Sequence, residues 1–255
     1  MILLKKFQIL DPKKSFALMD FDHTITTHNS LSSWGILEDS TLIDPRFSKE
    51  SLELYKKYRP IELDESIPYA EKNTHMVNWQ NQVGDLISKY HIYGSTINRI
   101  LETSKGFELR KGASNFLTQM NLLGVPVIIV SAGIGDFIAT YLSNKGLMFD
   151  NITLFSNFML TDENDQVVGF KQPIIHSMNK NCLDYSHIIE NKDTGILFGD
   201  LPADKAMGQN LNPITVGFCD TSIYDLKVFQ DEFDIVLTDG SSYNELGKVM
   251  IKNYK

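Results

Sequence analysis

With 255 residues, 42% apolar and 22% charged side chains, the chain can bury a substantial core and falls outside the disordered, collagenous and disulfide-scaffold classes. A formal net charge of −8 argues against a surface that neutralises many nucleic-acid phosphates, and no apolar run approaches the roughly 18 uncharged residues needed to span a membrane. Cys182 and Cys219 are too few for a disulfide framework and lack metal-ligand spacing, so a reducing compartment and packing roles are expected. Met1 to Leu10 carries no long apolar stretch ahead of a cleavage site, which makes a cytoplasmic location the expectation, with a monomer as the default assembly.

In chain order, Phe16 to Asp22 (FALMDFD) is a short apolar run that ends in acids. Pro126 to Ala132, Ile152 to Phe158, Gly195 to Asp200, Ile214 to Phe218 and Asp234 to Thr238 are built alike, and each predicts a buried strand. Between them the spacing predicts helices over Ala113 to Leu123, Asp136 to Lys145, Asp204 to Asn210, Ser222 to Gln230 and Tyr243 to Lys252. Strands alternating with helices predict an α/β fold, a Rossmann-like parallel sheet with helices on both faces and a site at the strands' C-terminal ends.

One stretch breaks the alternation. From 29 to 107 the patterns are helical, over Lys49 to Tyr58, Ser66 to Tyr90 and Ser95 to Ser104, with Pro60, Pro68 and Gly94 as separators. This predicts a helical cap inserted after the first strand, with 1–28 and 108–255 forming the core. Met159 to Gly169 reads equally well as a small β-hairpin or a surface loop.

Asp20, Asp22 and Thr24 follow the first strand as D-F-D-H-T. Alternation puts both carboxylates on one side of the chain, where they are tolerable once a cation or a proton lies between them. A second acidic pair, Asp200 and Asp204 in GDLPAD, follows the strand GILFG. Four carboxylates at two strand ends suit Mg²⁺, which takes oxygen ligands and keeps room for substrate phosphate. Ser131, at the end of PVIIVSAGIGD, can hold a phosphate oxygen together with the neighbouring backbone N–H groups. Lys180 can offset part of the negative charge.

That order of acid pair, Ser, Lys and second acid pair resembles the haloacid-dehalogenase-like phosphatases. Within them the chain resembles the cytosolic 5′-nucleotidase III family, through DFDHTIT (Asp20 to Thr26), PIELD (Pro60 to Asp64), HMVNW (His75 to Trp79), VSAGIGD (Val130 to Asp136), SNFM (Ser156 to Met159), GFK (Gly169 to Lys171), IHSMNK (Ile175 to Lys180) and DIVLTD (Asp234 to Asp239). Two departures stand out: GDLPAD replaces the family's GDSxGD form, and a cap serine of the family aligns with Val83.

The resemblance implies a Mg²⁺-dependent hydrolase of pyrimidine or 7-methylguanosine monophosphate, able also to transfer phosphate to a nucleoside. It implies Asp20 as nucleophile and Asp22 as acid–base, with metal held by Asp20, the Asp22 carbonyl and Asp200, and Asp204 behind them. Thr24, Ser131, Ala132 and Lys180 are the implied phosphate-side residues, and Glu62 and Trp34 the base-side ones. Trp79 is expected to be packing. The competing readings are a phosphatase for another small phosphomonoester, a receiver-like phospho-acceptor module and a degenerate scaffold. Asp22 and the helical insertion count against the module.

Overall fold

The computed structural model describes residues 11–64, 66–238 and 241–244. Among them a six-stranded parallel sheet runs in the order β3-β2-β1-β6-β7-β8. Its strands are β1 (Ser15–Met19), β2 (Val127–Ile134), β3 (Ile152–Asn157), β6 (Thr194–Gly199), β7 (Ile214–Phe218) and β8 (Ile235–Leu237). All five residues of β1 are buried, as expected of a strand covered on both faces. Alternate residues feed different cores: Ala17, Met19, Val127, Ile129, Ile196 and Phe198 pack on one side, and Phe16, Leu18, Ile128, Val130 and Leu197 on the other. The period-two split is what places helices on both faces.

Between β1 and β2 lie α1 (Ser33–Asp39), α2 (Pro45–Leu63), α3 (Tyr69–Lys89) and α4 (Ile97–Thr103). The chain enters and leaves this stretch side by side through an antiparallel bridge between Thr26 and Leu109. The Thr27 N–H donates to the Glu108 carbonyl at 2.8 Å, and the Arg110 N–H to that of Ile25 at 2.9 Å. The apolar residues of these helices, including Ile36, Phe47, Ile87 and Ile100, join the core on one face of the sheet.

The later helices are α5 (Ala113–Leu122), α6 (Gly135–Asn144) and α7 (Leu226–Glu232). The stretch after β3 forms the hairpin, not the loop: β4 (Met159–Thr161) pairs antiparallel with β5 (Val167–Phe170). It packs on α3, where a Cβ at Gly84 would lie 3.3 Å from the Phe170 ring.

Several expectations are corrected. Helix α1 was not predicted, because seven residues containing Gly35 carry too little periodicity; Ser32 caps it by accepting from the Gly35 N–H at 3.2 Å. Helix α2 begins at Pro45, with Asp44 as its cap, and runs through Pro60 to Leu63. A proline forfeits its own N–H bond but leaves its carbonyl free, and that carbonyl accepts from Asp64 at 3.1 Å. The GDLPAD helix is a 3-10 helix over Pro202–Gly208. Cys219 is buried, whereas Cys182 is exposed and does not pack in the core. The helix expected over Tyr243 to Lys252 lies outside the described residues apart from 243 and 244.

Candidate active site

Register builds the site. Met19 pairs with Ile129 on one side and with Phe198 on the other, so Asp20, one residue on, stands level with Val130 within β2 and with Gly199 at the end of β6. The Asp20 N–H donates to the Phe198 carbonyl at 3.0 Å. Since β1 lies between β2 and β6, Ser131 falls on one side of Asp20 and Asp200 on the other. Chain connections diverge here, and such a switch point opens a crevice at the strands' C-terminal ends.

Lys180 closes this group from below. Its Nζ donates to Asp20 Oδ1 at 2.6 Å and to Asp204 Oδ1 at 2.8 Å, and all three side chains are buried. Burial alone would lower its ammonium, but Asp20 and Asp204 hold it above the ordinary lysine value. Asp204 Oδ2 accepts from the N–H groups of Asp200 at 3.2 Å and Leu201 at 3.0 Å. This fold-back requires glycine at 199, where a Cβ would come 2.5 Å from that of Asp204. Burial pushes the Asp20 carboxyl up to about 6 against the pull of Lys180, with the Asp204 charge adding to the rise.

Asp22 faces elsewhere. Its Oδ1 accepts from the Ser33 N–H at 3.3 Å, and burial together with the Asp20 charge raises its carboxyl to about 7. The backbone passes beneath it at Gly133, where a Cβ would lie 2.2 Å from Ser33 Oγ and 3.0 Å from Asp22 Oδ2. Ser131 Oγ accepts from the Gly133 N–H at 3.0 Å, which leaves its hydroxyl hydrogen to donate. The Ala132 peptide is steadied by Asn157, whose Nδ2 donates to the carbonyls of Ala132 at 2.9 Å and Ile175 at 2.8 Å.

A cavity of about 290 Å³ joins these groups to the inserted helices; Asp20, Asp22, Ser131, Ala132, Lys180, Asp200 and Asp204 line it together with Trp34 and Glu62. Thr24 does not line it: fully buried, it directs its hydroxyl at Asp200 Oδ1 across 3.4 Å. Glu62 comes already engaged, with Arg59 on Oε2 and the Ser177 hydroxyl on Oε1. Trp34 meets the Phe170 ring edge-on at 5.7 Å.

Sequence reasoning missed Arg59 and Gln80, quoted His176 and Ser177 within IHSMNK without giving them a role, and expected Trp79 to be packing; all five line the cavity. Arg59 stands three residues before Glu62 on one helix, a spacing that brings side chains together, so its signal was present. Gln80 carries no such mark, because its place at the cavity depends on which segments fold against α3.

One carboxylate oxygen from each of Asp20, Asp200 and Asp204 lies within 4.8 Å of the others. Burial, then the charges of Asp204 and Asp20, holds the Asp200 carboxyl well above its ordinary value. An all-oxygen set crowded with negative charge fits a small divalent cation. The Asp22 carboxylate is not part of this cluster; its backbone carbonyl was the atom expected to bind metal.

Solved structures place the fold. Phosphoserine phosphatase in its apo form superposes with a TM-score of 0.57 over 95% of this chain and all of that one, at 13% identity. The parallel sheet thus shares the fold of that phosphatase. The sequence model of the pyrimidine 5′-nucleotidase (UMPH-1) family matches residues 21–252, and the chain belongs to that family; it is a 5′-nucleotidase, a phosphoric monoester hydrolase. The 7-methylguanosine phosphate-specific 5′-nucleotidase of Drosophila melanogaster is 31% identical over 93% of this chain and 79% of its own length. The human protein of the same name is also 31% identical, over 86% and 78%. The crystal structure of cytosolic 5′-nucleotidase IIIB bound to cytidine gives a TM-score of 0.82 at 29% identity, covering 94% of this chain and 86% of that one. Among the described residues no helix is long and apolar enough to cross a membrane.

Proposed function

We propose that the chain hydrolyses the 5′ phosphate of cytidine, uridine or 7-methylguanosine monophosphate with Mg²⁺, through an aspartyl-phosphate on Asp20, in the cytoplasm and as a monomer. The observation that carries this reading is the convergence of Asp20 with Ser131, Lys180 and Asp200 in a cavity whose far wall is Trp34 and Glu62. The nucleoside preference draws on the cytidine held by one relative and the 7-methylguanosine specificity named for others.

Ser131, the Ala132 N–H and Lys180 hold the non-bridging phosphate oxygens and orient phosphorus toward Asp20. Asp20 then attacks in line, and the P–O5′ bond breaks. Asp22, poised near neutrality, gives its proton to the leaving oxygen and later takes one from the water that splits the aspartyl-phosphate. Asp20, Asp200 and the Asp22 carbonyl would hold Mg²⁺, with Asp204 behind them, and the ion would neutralise charge on phosphate. Thr24 steadies Asp200 from beneath. Residues 29–107 act as a cap that sheds water and receives the nucleoside, with Trp34 stacking on the base.

Phosphate release from CMP, UMP, AMP, GMP and 7-methylguanosine monophosphate, beside the Asp20→Asn variant, tests the reading. Turnover of a named substrate is expected and should vanish in the variant and on chelation. Hydrolysis of generic phosphate esters with no nucleotide turnover would sink it.

A further inference from the structure

A second cavity of about 390 Å³ adjoins the catalytic one, bounded by α1, α2 and α3. The two share Ser32, Trp34, Trp79 and Gln80, so two indoles, a hydroxyl and an amide frame the passage between them. One stripe of α3 forms the common wall: Met76 faces the catalytic cavity, Val83 the second, and Trp79 and Gln80 both. That is the i, i+3, i+4, i+7 spacing of a single helix face. Trp79 is held rigid, stacked on Tyr58 at 5.9 Å with 14° between the rings.

Within this frame Gln80 Oε1 is buried and has no hydrogen-bond partner. A buried carbonyl oxygen without a donor is costly, and at the wall of a ligand cavity a donor on the ligand would satisfy it. Glu62, the acceptor expected to read an amino group, already receives Arg59 and Ser177. Gln80 does not, and its terminal torsion is soft enough to turn the oxygen toward either cavity.

We propose that Gln80 determines base specificity, its Oε1 accepting a hydrogen bond from an exocyclic amino group of a base seated in the passage between Trp34 and Trp79. The proposal rests on the nucleotidase reading. A base lacking that amino group leaves the buried oxygen unpaired, and sites built around a hydrogen bond reject such analogues strongly. The apolar indoles bind either base alike, so discrimination falls to the amide.

The test compares kcat/KM, with Mg²⁺, for two matched pairs: CMP against its 4-deamino analogue, 2-pyrimidinone riboside monophosphate, and 7-methylguanosine against 7-methylinosine monophosphate. Wild type is expected to favour the amino-bearing member of at least one pair by about tenfold or more. Gln80→Leu should bring that ratio toward one, chiefly through KM, and Gln80→Glu, which keeps an acceptor, should retain it. Gln80→Leu should melt no lower than wild type, since it removes an unpaired oxygen. A ratio unchanged in a folded Gln80→Leu protein, or absent from wild type that turns over nucleotides, overturns the proposal alone. Turnover of p-nitrophenyl phosphate with no nucleotide turnover overturns the nucleotidase reading and this proposal with it.

Discussion

Ser33 ties the first inserted helix to Asp22: its N–H donates to Asp22 Oδ1 at 3.3 Å, while its Oγ accepts from the Ile134 N–H at 2.8 Å. The group assigned to acid–base chemistry is thus set by an element inserted after it in sequence, and both rest on the backbone at Gly133. Gly133→Ala would drive a methyl into Ser33 Oγ and displace this junction. A shift of about 1 Å costs on the order of a hundredfold in rate, so kcat should fall by that order with the circular dichroism spectrum retained. Unaltered kcat would show that the junction is irrelevant to chemistry.

Lys180 is the cation within hydrogen-bonding reach of two buried carboxylates. Lys180→Met leaves Asp20 and Asp204 uncompensated, and breaking buried pairs of this kind costs about 3–5 kcal/mol. Thermal unfolding should report that loss, and adding Asp204→Asn should recover part of it by removing one of the stranded charges. Equal melting temperatures for wild type and Lys180→Met would contradict the assignment.

Divalent cation should stabilise the folded chain, because Asp20, Asp200 and Asp204 crowd their oxygens within 4.8 Å and the unfolded chain does not. At a hundred times Kd the gain is about 2.7 kcal/mol, a rise of several degrees in melting temperature at this size. Asp200→Asn should blunt the rise. A melting temperature indifferent to Mg²⁺ would remove the metal from this cluster.

His176 gives a pH dependence with a definite sign. Its Nδ1 accepts from the Met178 N–H at 3.2 Å, so Nε2 is the atom that donates to Asn73 Oδ1, at 3.0 Å. The ring is therefore neutral, and burial lowers it from 6.5 to about 4, with Glu62 pulling the other way. A lowered folded value means stability that is whole above about 6.5 and lost as pH falls toward 4, roughly 2 kcal/mol of it by pH 5. The raised carboxyls of Asp20 and Asp22 act in the opposite direction but are common to wild type and His176→Gln. Wild type should accordingly lose more melting temperature between pH 7.5 and 5 than the variant; parallel curves would refute the neutral ring.

The buried strands were legible in the chain because residues covered on both faces must be apolar throughout, and runs such as ALM and IIV can be little else. Asp20 and Asp200 were legible for a related reason: each stands directly after such a run, and strand ends are where a parallel sheet exposes side chains, whereas Lys180 was marked only by its place in the order of motifs. Helix α1 was not legible, since seven residues around Gly35 carry no sustained period, and Pro60 misled because its carbonyl still serves the helix.

Sequence by itself determined the parallel α/β core and set Asp20, Asp22, Ser131 and Asp200 after its apolar runs, because burial and strand termini leave local compositional marks. Tertiary structure alone decided that Asp204 reaches back over Gly199 to Lys180, that Thr24 lies beneath the cavity, and that Gln80 holds an oxygen without a donor. Those relations depend on which donors arrive from distant segments, and hydrogen bonding across such separations writes no periodicity into the chain.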